Sequence, residues 1–285
     1  GACRLAVVAA EGDDLAATWP AALAVGAEVV VGPGGGDLGG WLLTAAAGAA
    51  GAVGVVGGRG GAGASTAAVA LARAGVAAVG GAVLVDADPV GGGLDLALGA
   101  EALAGLRWPD LCGAPGAPGP GLVAALPRVD GVAVVSHGRD RGGGERRPDS
   151  ALTASLLDTC LAGGRPVVVD LPRRGDPATR AALSRCAVLV VVVPAEVRAC
   201  AGAGALLDEL GTTVADVRLL VRGPAPAGLA AEDVAAAVGI PSFAEVRPEP
   251  GLAAALDRGE RIAASARSPL RAWAAGVIAT GPGAR

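Results

Sequence analysis

Several residue types are missing from this chain of 285 residues. It contains no lysine, asparagine, glutamine, methionine or tyrosine, and it has one histidine, one phenylalanine and four tryptophans. The hydrophobic residues, 52% of the chain, are mainly alanine, valine and leucine, which still form a core when Ala- and Leu-rich helices pack on Val-rich strands. This bias toward Ala, Gly, Arg and Pro is that of a GC-rich coding sequence. A missing lysine at one position is therefore weak evidence about function.

A basic surface is also missing. The formal net charge is −4 and the sequence pI is about 5.1. A protein that binds nucleic acid mainly through charge needs a basic face. The composition therefore argues against nucleic acid as a direct partner.

Neither a cysteine pair nor a long, strongly hydrophobic run occurs. The five cysteines lie far apart and form no CxxC pair, which indicates reduced and mostly buried thiols in a cytoplasmic protein. The strongest apolar run, AVLVVVVPA at 187–195, is too short to span a membrane and predicts a central strand. The apolar residues 268–285 could form a weak surface helix at a membrane, but packing or fraying is favoured, and we expect membrane association to be at most peripheral, at the inner face.

Strand-like and helical segments alternate along the chain. Residues 1–50 predict the closing part of a small α/β domain, and acids stand where a signal peptide would be apolar, so we expect the chain to begin inside that domain. Residues 51–270 predict a doubly wound α/β domain with a mostly parallel sheet, and residues 271–285 form a tail. The predicted elements of the first domain are strand Leu5–Ala9, helix Asp14–Val25, strand Glu28–Val31 and helix Asp37–Ala50.

The second domain places its conspicuous residues at the ends of predicted strands. In an open α/β sheet, ligands bind at the carboxyl ends of the strands, so residues at these ends can converge on one crevice. The predicted strands are Val53–Val56, Ala82–Val85, Val132–Val135, Val167–Val169, Val188–Val193 and Val217–Val221. The residues that follow or end them are the loop GGRGGAGAST at 57–66, Asp86, Asp88, Asp170, Pro194 and Arg222.

The glycine-rich loop permits two interpretations. Gly58, Gly60 and Gly63 fit G-x-G-x-x-G, and Asp86 follows 23 residues after the last glycine, as in the dinucleotide site of an NAD(P)-dependent oxidoreductase. Such a site needs neither the hydroxyl pair at 65–66, nor a second acid at 88, nor an acid at 170. A P-loop uses all of these, and the pattern favours a P-loop.

In the P-loop interpretation, the chain binds ATP and Mg²⁺. The backbone N–H groups of the loop cradle the β-phosphate at the start of a helix. Ser65 ligates Mg²⁺, Thr66 contacts the α-phosphate, Asp86 lies beside the metal, and Asp170 holds the metal through water. The residues that supply the cradle are Gly60, Gly61, Ala62, Gly63, Ala64, Ser65 and Thr66.

Several motifs resemble those of a known family. RGGAGAST resembles the deviant Walker A motif KGGxGK[ST] of the MinD/ParA family, and LVDADP resembles its second acidic motif. GLDLALGAE, GLRWPDL, VVVPAEVRA, VRGPAP and RPEPGLAAALDRG together resemble the actinobacterial branch of CpaE/TadZ-like proteins, the septum site-determining (Ssd-like) proteins. The resemblance covers essentially the whole chain, and residues 1–50 resemble the end of the receiver-like (CheY-like) domain of that branch.

The resemblance implies a P-loop fold that forms a homodimer through its nucleotide face. It also implies a spatial regulator that places or inhibits a septum or a pilus/secretion apparatus, with cell-division or pilus/secretion proteins as partners. The family's first motif lysine, which reaches the partner's nucleotide, corresponds to Arg59. The second lysine, which contacts the β- and γ-phosphates, corresponds to Ala64. Arg222 stands at the adenine-reading Asn of the family, and Pro194 is assigned to the same nucleotide site.

These departures leave two hypotheses open. The first is weak ATP binding with slow or no hydrolysis, in which Asp88 orients water and Arg59 assists catalysis. Losing one charge-assisted contact costs about 1.5–3 kcal/mol, or about ten- to a hundred-fold in affinity. The second is a nucleotide-independent scaffold in which the three aspartates at 86, 88 and 170 are inherited polar residues. Arg173 and Arg174 follow Asp170 and could approach a phosphate or a partner, but a solvated loop is favoured for them.

Overall fold

The computed structural model describes residues 6–8, 29–31, 51–137, 147–211, 214–223, 229–249, 251–258, 262, 265 and 268–280. The chain divides into two compact units, Gly1–Ala49 and Ala50–Arg285. In the first unit, β1 (Ala6–Val8) and β2 (Val29–Val31) pair in parallel. The two helices predicted for this unit lie outside the described residues, and its receiver-like character stays a prediction.

An eight-stranded sheet forms the centre of the second unit. Its spatial order is β10-β9-β8-β3-β7-β4-β6-β5, and every neighbouring pair is parallel except β5 with β6. The predicted α/β fold with a mostly parallel sheet is confirmed. The strands are β3 (Ala52–Gly57), β4 (Ala82–Asp86), β5 (Arg128–Val129), β6 (Val132–Val135), β7 (Val167–Asp170), β8 (Cys186–Pro194), β9 (Asp216–Arg222) and β10 (Phe243–Val246).

Helices connect the strands and cover both faces of the sheet. One hydrophobic cluster packs α5, α6 and α7 on one face, and a second packs α1 and α10 on the other. Their bounds are α1 (Ala64–Val79), α2 (Leu94–Leu98), α3 (Trp108–Gly113), α4 (Leu122–Ala125), α5 (Ser150–Ala162), α6 (Pro177–Leu183), α7 (Val197–Leu210), α8 (Ala231–Val238), α9 (Leu252–Asp257) and α10 (Pro269–Thr280). Among the described residues, none of these helices is long and apolar enough to cross a membrane.

The central strands are apolar along their whole length because both faces are covered. The sequence VLVVVV of β8 is buried between the two clusters, as expected for a parallel strand beneath helices on both sides. Helix α1 is rich in alanine, so its backbone approaches the sheet closely, and α10 packs along it. The core therefore places the start of α1 firmly at the carboxyl end of β3.

Some elements differ from those predicted. The sequence pattern after the glycine-rich loop predicts a helix to about Arg73, whereas α1 continues to Val79, and Gly80 ends it in a left-handed conformation with φ 77°. The antiparallel strand β5 and the short helices α2, α3 and α4 were not predicted. They are too short for a periodic pattern, and α3 begins where the Asp110 carboxylate accepts a hydrogen bond of 2.8 Å from the Arg107 backbone N–H.

Candidate functional site

The glycine-rich loop joins β3 to α1 in a conformation that requires glycine. Gly61 and Gly63 have φ of 69° and 98°, a region that residues with a side chain rarely adopt. A Cβ added at Gly60 would meet no atom within 4 Å, so the space in front of the loop is open. The loop backbone can therefore approach a ligand closely.

The amino end of α1 offers backbone N–H groups to that open space. The helix has no side-chain cap and no acidic residue in its first turn. The first N–H groups of a helix have no partner within it and carry partial positive charge. This end of α1 is therefore suited to an anion, and Ser65 and Thr66 lie in its first turn.

Two aspartates face the loop from neighbouring strands. Asp86 ends β4 and Asp170 ends β7, and the two residues are directly opposite in the parallel ladder. Their residues are 2% and 5% exposed. Burial raises the pKa of Asp86 to about 6, against hydrogen bonds from the Leu94 and Asp88 backbones that lower it. Burial also raises the pKa of Asp170 to about 7, against a hydrogen bond from the Ser65 side chain.

Hydrogen bonds fix the Asp86 carboxylate. It accepts from the backbone N–H groups of Asp88 and Leu94, each at 3.1 Å, and its Oδ2 lies 3.3 Å from the Ser136 hydroxyl. The buried Trp108 indole donates to the Asp86 carbonyl at 2.6 Å. Sequence reasoning missed Ser136 and Trp108. Ser136 could have been found, because it directly follows β6 at the carboxyl edge of the sheet.

A cavity of about 620 Å³ lies beside the loop. Its lining brings together five of the predicted site residues, namely Ser65, Thr66, Asp86, Asp88 and Asp170. Carboxylate and hydroxyl oxygens are the ligands that Mg²⁺ prefers, and Mg²⁺ is often held by one or two carboxylates together with substrate phosphates. The described residues contain no cluster of three or more His, Cys, Asp or Glu side chains that could hold a metal alone. The site therefore fits a Mg²⁺ ion that shares its ligands with a phosphate group.

The Arg173 side chain contacts the first two residues of the glycine-rich loop. Its Nε donates to the Gly57 carbonyl at 2.9 Å and its Nη2 to the Gly58 carbonyl at 3.1 Å. The expectation that Arg173 lies in a solvated loop was wrong. Arg173 follows Asp170 by three positions, and Asp170 ends β7, the neighbour of β3 in the sheet. The Arg173 side chain therefore reaches the loop that follows β3. Arg174 instead pairs with Asp176 at 2.7 Å.

Arg59 is paired within its own chain. Its Nε and Nη2 donate to the two carboxylate oxygens of Glu196 at 3.1 and 2.9 Å, and its Nη1 donates to the Gly60 carbonyl at 2.8 Å. Both side chains are well exposed. The role of Arg59 at a partner's nucleotide stays a prediction.

Pro194 and Arg222 lie on adjacent strands, outside the large cavity. They are register partners at the ends of β8 and β9. The Arg222 Nη1 donates to the Ala62 carbonyl at 2.7 Å. The structure therefore brings Arg222 to the loop, whereas Pro194 is a buried residue that does not line the cavity.

Solved structures share this arrangement of strands and helices. A ParA family ATPase from Chlorobium tepidum TLS aligns with TM-score 0.69 and 16% identity over 81% of this chain and 98% of its own. MinD in the MinC:MinD complex of Aquifex aeolicus aligns with TM-score 0.63 and 19% identity over 80% and 94%. The fold is that of the ParA and MinD ATPases. MinD from Pyrococcus horikoshii OT3, solved with Mg-ADP, shares it with TM-score 0.61 and 16% identity over 79% and 93%.

The ParA/MinD-like fold agrees with the P-loop interpretation of the loop. In sequence, the chain is 43% identical over 192 residues to uncharacterized proteins of two Mycobacterium tuberculosis strains, H37Rv and CDC 1551. The match covers 67% of this chain and 53% of each relative, so the chain spans about half the length of the curated relatives it matches. No family model matches the chain.

Proposed function

We propose that the chain is a MinD-like spatial regulator that binds Mg-ATP weakly through a degenerate phosphate loop. The observation that carries the proposal is the convergence of Ser65, Asp86 and Asp170 on one cavity beside the glycine loop of a ParA/MinD-like fold. A phosphate loop, a hydroxyl and strand-end carboxylates form the set that phosphoryl-transfer proteins use for a nucleotide with its metal.

Each residue has a definite role in the proposal. The N–H groups of residues 60–66 cradle the phosphates, and Thr66 contacts the α-phosphate. Ser65, Asp86 and Asp170 would hold Mg²⁺, which neutralises phosphate charge when bound. Asp88 lies in the same cavity and orients water. Because burial raises the pKa of Asp170 to about 7, this carboxyl is partly protonated near neutral pH and releases a proton as it takes up the metal, which weakens metal binding as the pH falls.

Ala64 limits the expected activity. Without a lysine at this position, the loop lacks one charge-assisted contact, which costs about ten- to a hundred-fold in affinity. Hydrolysis suffers more than binding, because phosphoryl transfer depends mainly on positioning and on neutralising charge in the transition state. We therefore expect at most a weak ATPase.

The cellular role is proposed from the sequence resemblance. The Ssd-like and CpaE/TadZ-like motifs support a place in septum formation or in pilus/secretion assembly, with a protein of that apparatus as partner. The solved MinC:MinD complex is an example of this fold bound to a cell-division protein. We propose a homodimer in the cytoplasm, with at most peripheral attachment to the membrane.

A scaffold that works without nucleotide is the second candidate. One observation favours it: the Asp86 carboxylate already accepts two backbone hydrogen bonds within the chain, beside the Ser136 hydroxyl, and needs no ligand to be satisfied. In this case Asp170→Ala leaves septation and pilus phenotypes unchanged, whereas a nucleotide-dependent regulator loses its effect.

Calorimetry with Mg-ATP at millimolar nucleotide tests the proposal. We expect weak binding by the wild-type chain, tighter binding by Ala64→Lys, and loss of binding by Asp170→Ala. Arg198→Gln on the exposed start of α7 serves as the control and should bind like the wild type. Absence of binding by both the wild type and Ala64→Lys would contradict a nucleotide site.

A further inference from the structure

Arg222 lies against the phosphate loop directly before the position that lacks a lysine. Besides its 2.7 Å hydrogen bond to the Ala62 carbonyl, its guanidinium covers the backbone of Gly63. A Cβ added at Gly63 would stand 2.6 Å from Nη1 and 3.3 Å from Cζ of Arg222. Only glycine at 63 permits this approach, and Ala64 is the next residue.

Within the described part of the chain, no carboxylate forms an ion pair with Arg222, and Glu249, which lines the same small cavity, accepts a hydrogen bond from the Ser268 hydroxyl. The hydrogen bond to the Ala62 carbonyl takes one of the five N–H donors of the Arg222 guanidinium. The group stands beside the amino end of α1, which is also positive and has no acidic residue in its first turn. An anion bound beside the Arg222 guanidinium and the amino end of α1 would stabilise both of these positive groups.

The space behind Arg222 is too small for a base. The cavity lined by Gly63, Thr66, Arg222 and Arg247 has a volume of about 20 Å³, which is room for about one water molecule. A purine does not fit there. This small cavity therefore offers no closed base pocket at Arg222, whose guanidinium instead lies against the loop backbone that is proposed to hold the phosphates.

We propose that Arg222 supplies the phosphate loop with the cation that Ala64 does not provide. The inference rests on the proposed nucleotide site and names the chemical group that this residue binds, the polyphosphate chain. A guanidinium stays charged at all physiological pH values and can bind two phosphate oxygens at once. It reaches the loop from β9, whereas a motif lysine would reach it from α1.

Titration with Mg-ATP, Mg-ADP and AMP tests the inference on the full chain. We expect Arg222→Gln to weaken Mg-ATP binding about ten- to a hundred-fold, Mg-ADP binding less, and AMP binding hardly at all, because the lost charge acts on the outer phosphates. Arg222→Lys should keep part of the affinity, and Arg198→Gln should keep all of it. An equal loss for all three nucleotides would indicate a base, ribose or packing role and would overturn the inference.

A double-mutant cycle separates charge from packing. If Arg222 supplies the missing cation, Ala64→Lys improves Mg-ATP affinity more in the Arg222→Gln background than in the wild type. Equal improvement in both backgrounds contradicts the inference, and this comparison remains valid if Arg222→Gln lowers stability. If the wild type binds Mg-ATP and Arg222→Gln does not change that affinity, the inference is wrong and the proposed function stands. If the wild type binds no nucleotide, the proposed function is wrong as well.

Discussion

Asp86 and Asp170 stand opposite each other on adjacent parallel strands, and both are almost completely buried. Burial disfavours the ionised form of both carboxylates, and the charge of Asp86 disfavours that of Asp170 further. Keeping both carboxylates buried lowers the stability of the folded protein. Buried ionisable groups with raised pKa values are typical of functional sites, such as those that bind a cation.

The first prediction concerns stability and pH. Burial raises the pKa of Asp170 from its ordinary value of 3.8 to about 7 in the folded chain, so the folded state binds this proton more tightly than the unfolded state. Its contribution to stability is fully present below about pH 4 and is lost as pH rises through about 7. We expect Asp170→Asn to increase the free energy of unfolding at pH 8 by on the order of 2–4 kcal/mol, measured by urea denaturation without Mg²⁺.

The gain from Asp170→Asn should shrink toward pH 4, where the wild-type carboxyl is protonated. Asp158→Asn, at an exposed position paired with Arg185, is the control and should show no such pH-dependent gain. A constant gain at every pH would mean that ionisation of Asp170 is not the cause.

The second prediction concerns Arg173. Arg173→Gln removes the two hydrogen bonds to the Gly57 and Gly58 carbonyls, so the loop should open more often. Hydrogen exchange of the amides in residues 57–66 should accelerate, and Mg-ATP binding should weaken several-fold. Arg174→Gln is the matched control, since Arg174 pairs with Asp176 and not with the loop. If the amides of residues 57–66 exchange at similar rates in both variants, Arg173 does not stabilise the loop.

The third prediction concerns Gly63. Gly63→Ala places a methyl group 2.6 Å from the Arg222 guanidinium at a residue with φ 98°. We expect a loss of about 1–3 kcal/mol in unfolding free energy and a loss of Mg-ATP binding. Gly204→Ala within α7, where an added Cβ meets no atom within 4 Å, should be neutral or stabilise by about 0.5–1 kcal/mol. Thermal unfolding of the two variants checks the contrast.

The fourth prediction concerns the pair of Arg59 and Glu196. Both side chains are 39–45% exposed, so Glu196→Gln should change stability by less than about 1 kcal/mol. If Arg59 acts at a partner's nucleotide, as proposed, its release from Glu196 should increase the dimeric fraction in Mg-ATP. Sedimentation velocity with and without nucleotide measures this, with Glu209→Gln as the control. An unchanged dimeric fraction would indicate that the pair does not compete with dimerisation.

Much of the fold followed from short-range pattern. Valine runs separated by helical segments predicted the parallel sheet, and the motif at 57–66 predicted a loop before a helix. The short elements between Leu94 and Val129 escaped prediction, because segments of two to six residues carry no clear period. The predicted end of α1 near Arg73 was wrong. Tertiary packing continues this helix to Val79.

By itself the sequence determined which edge of the sheet carries the candidate site, because the carboxyl ends of parallel strands lie on one edge. Ser65, Asp86 and Asp170 meet there because β7 lies between β3 and β4, an order that the sequence pattern did not give. Only the tertiary structure decided the charge around them. It buried the two carboxylates, which raised their pKa values, and it brought Arg173 and Arg222 to the loop from β7 and β9. Burial and side-chain direction depend on which strands are neighbours, and that order is set by packing over the whole chain.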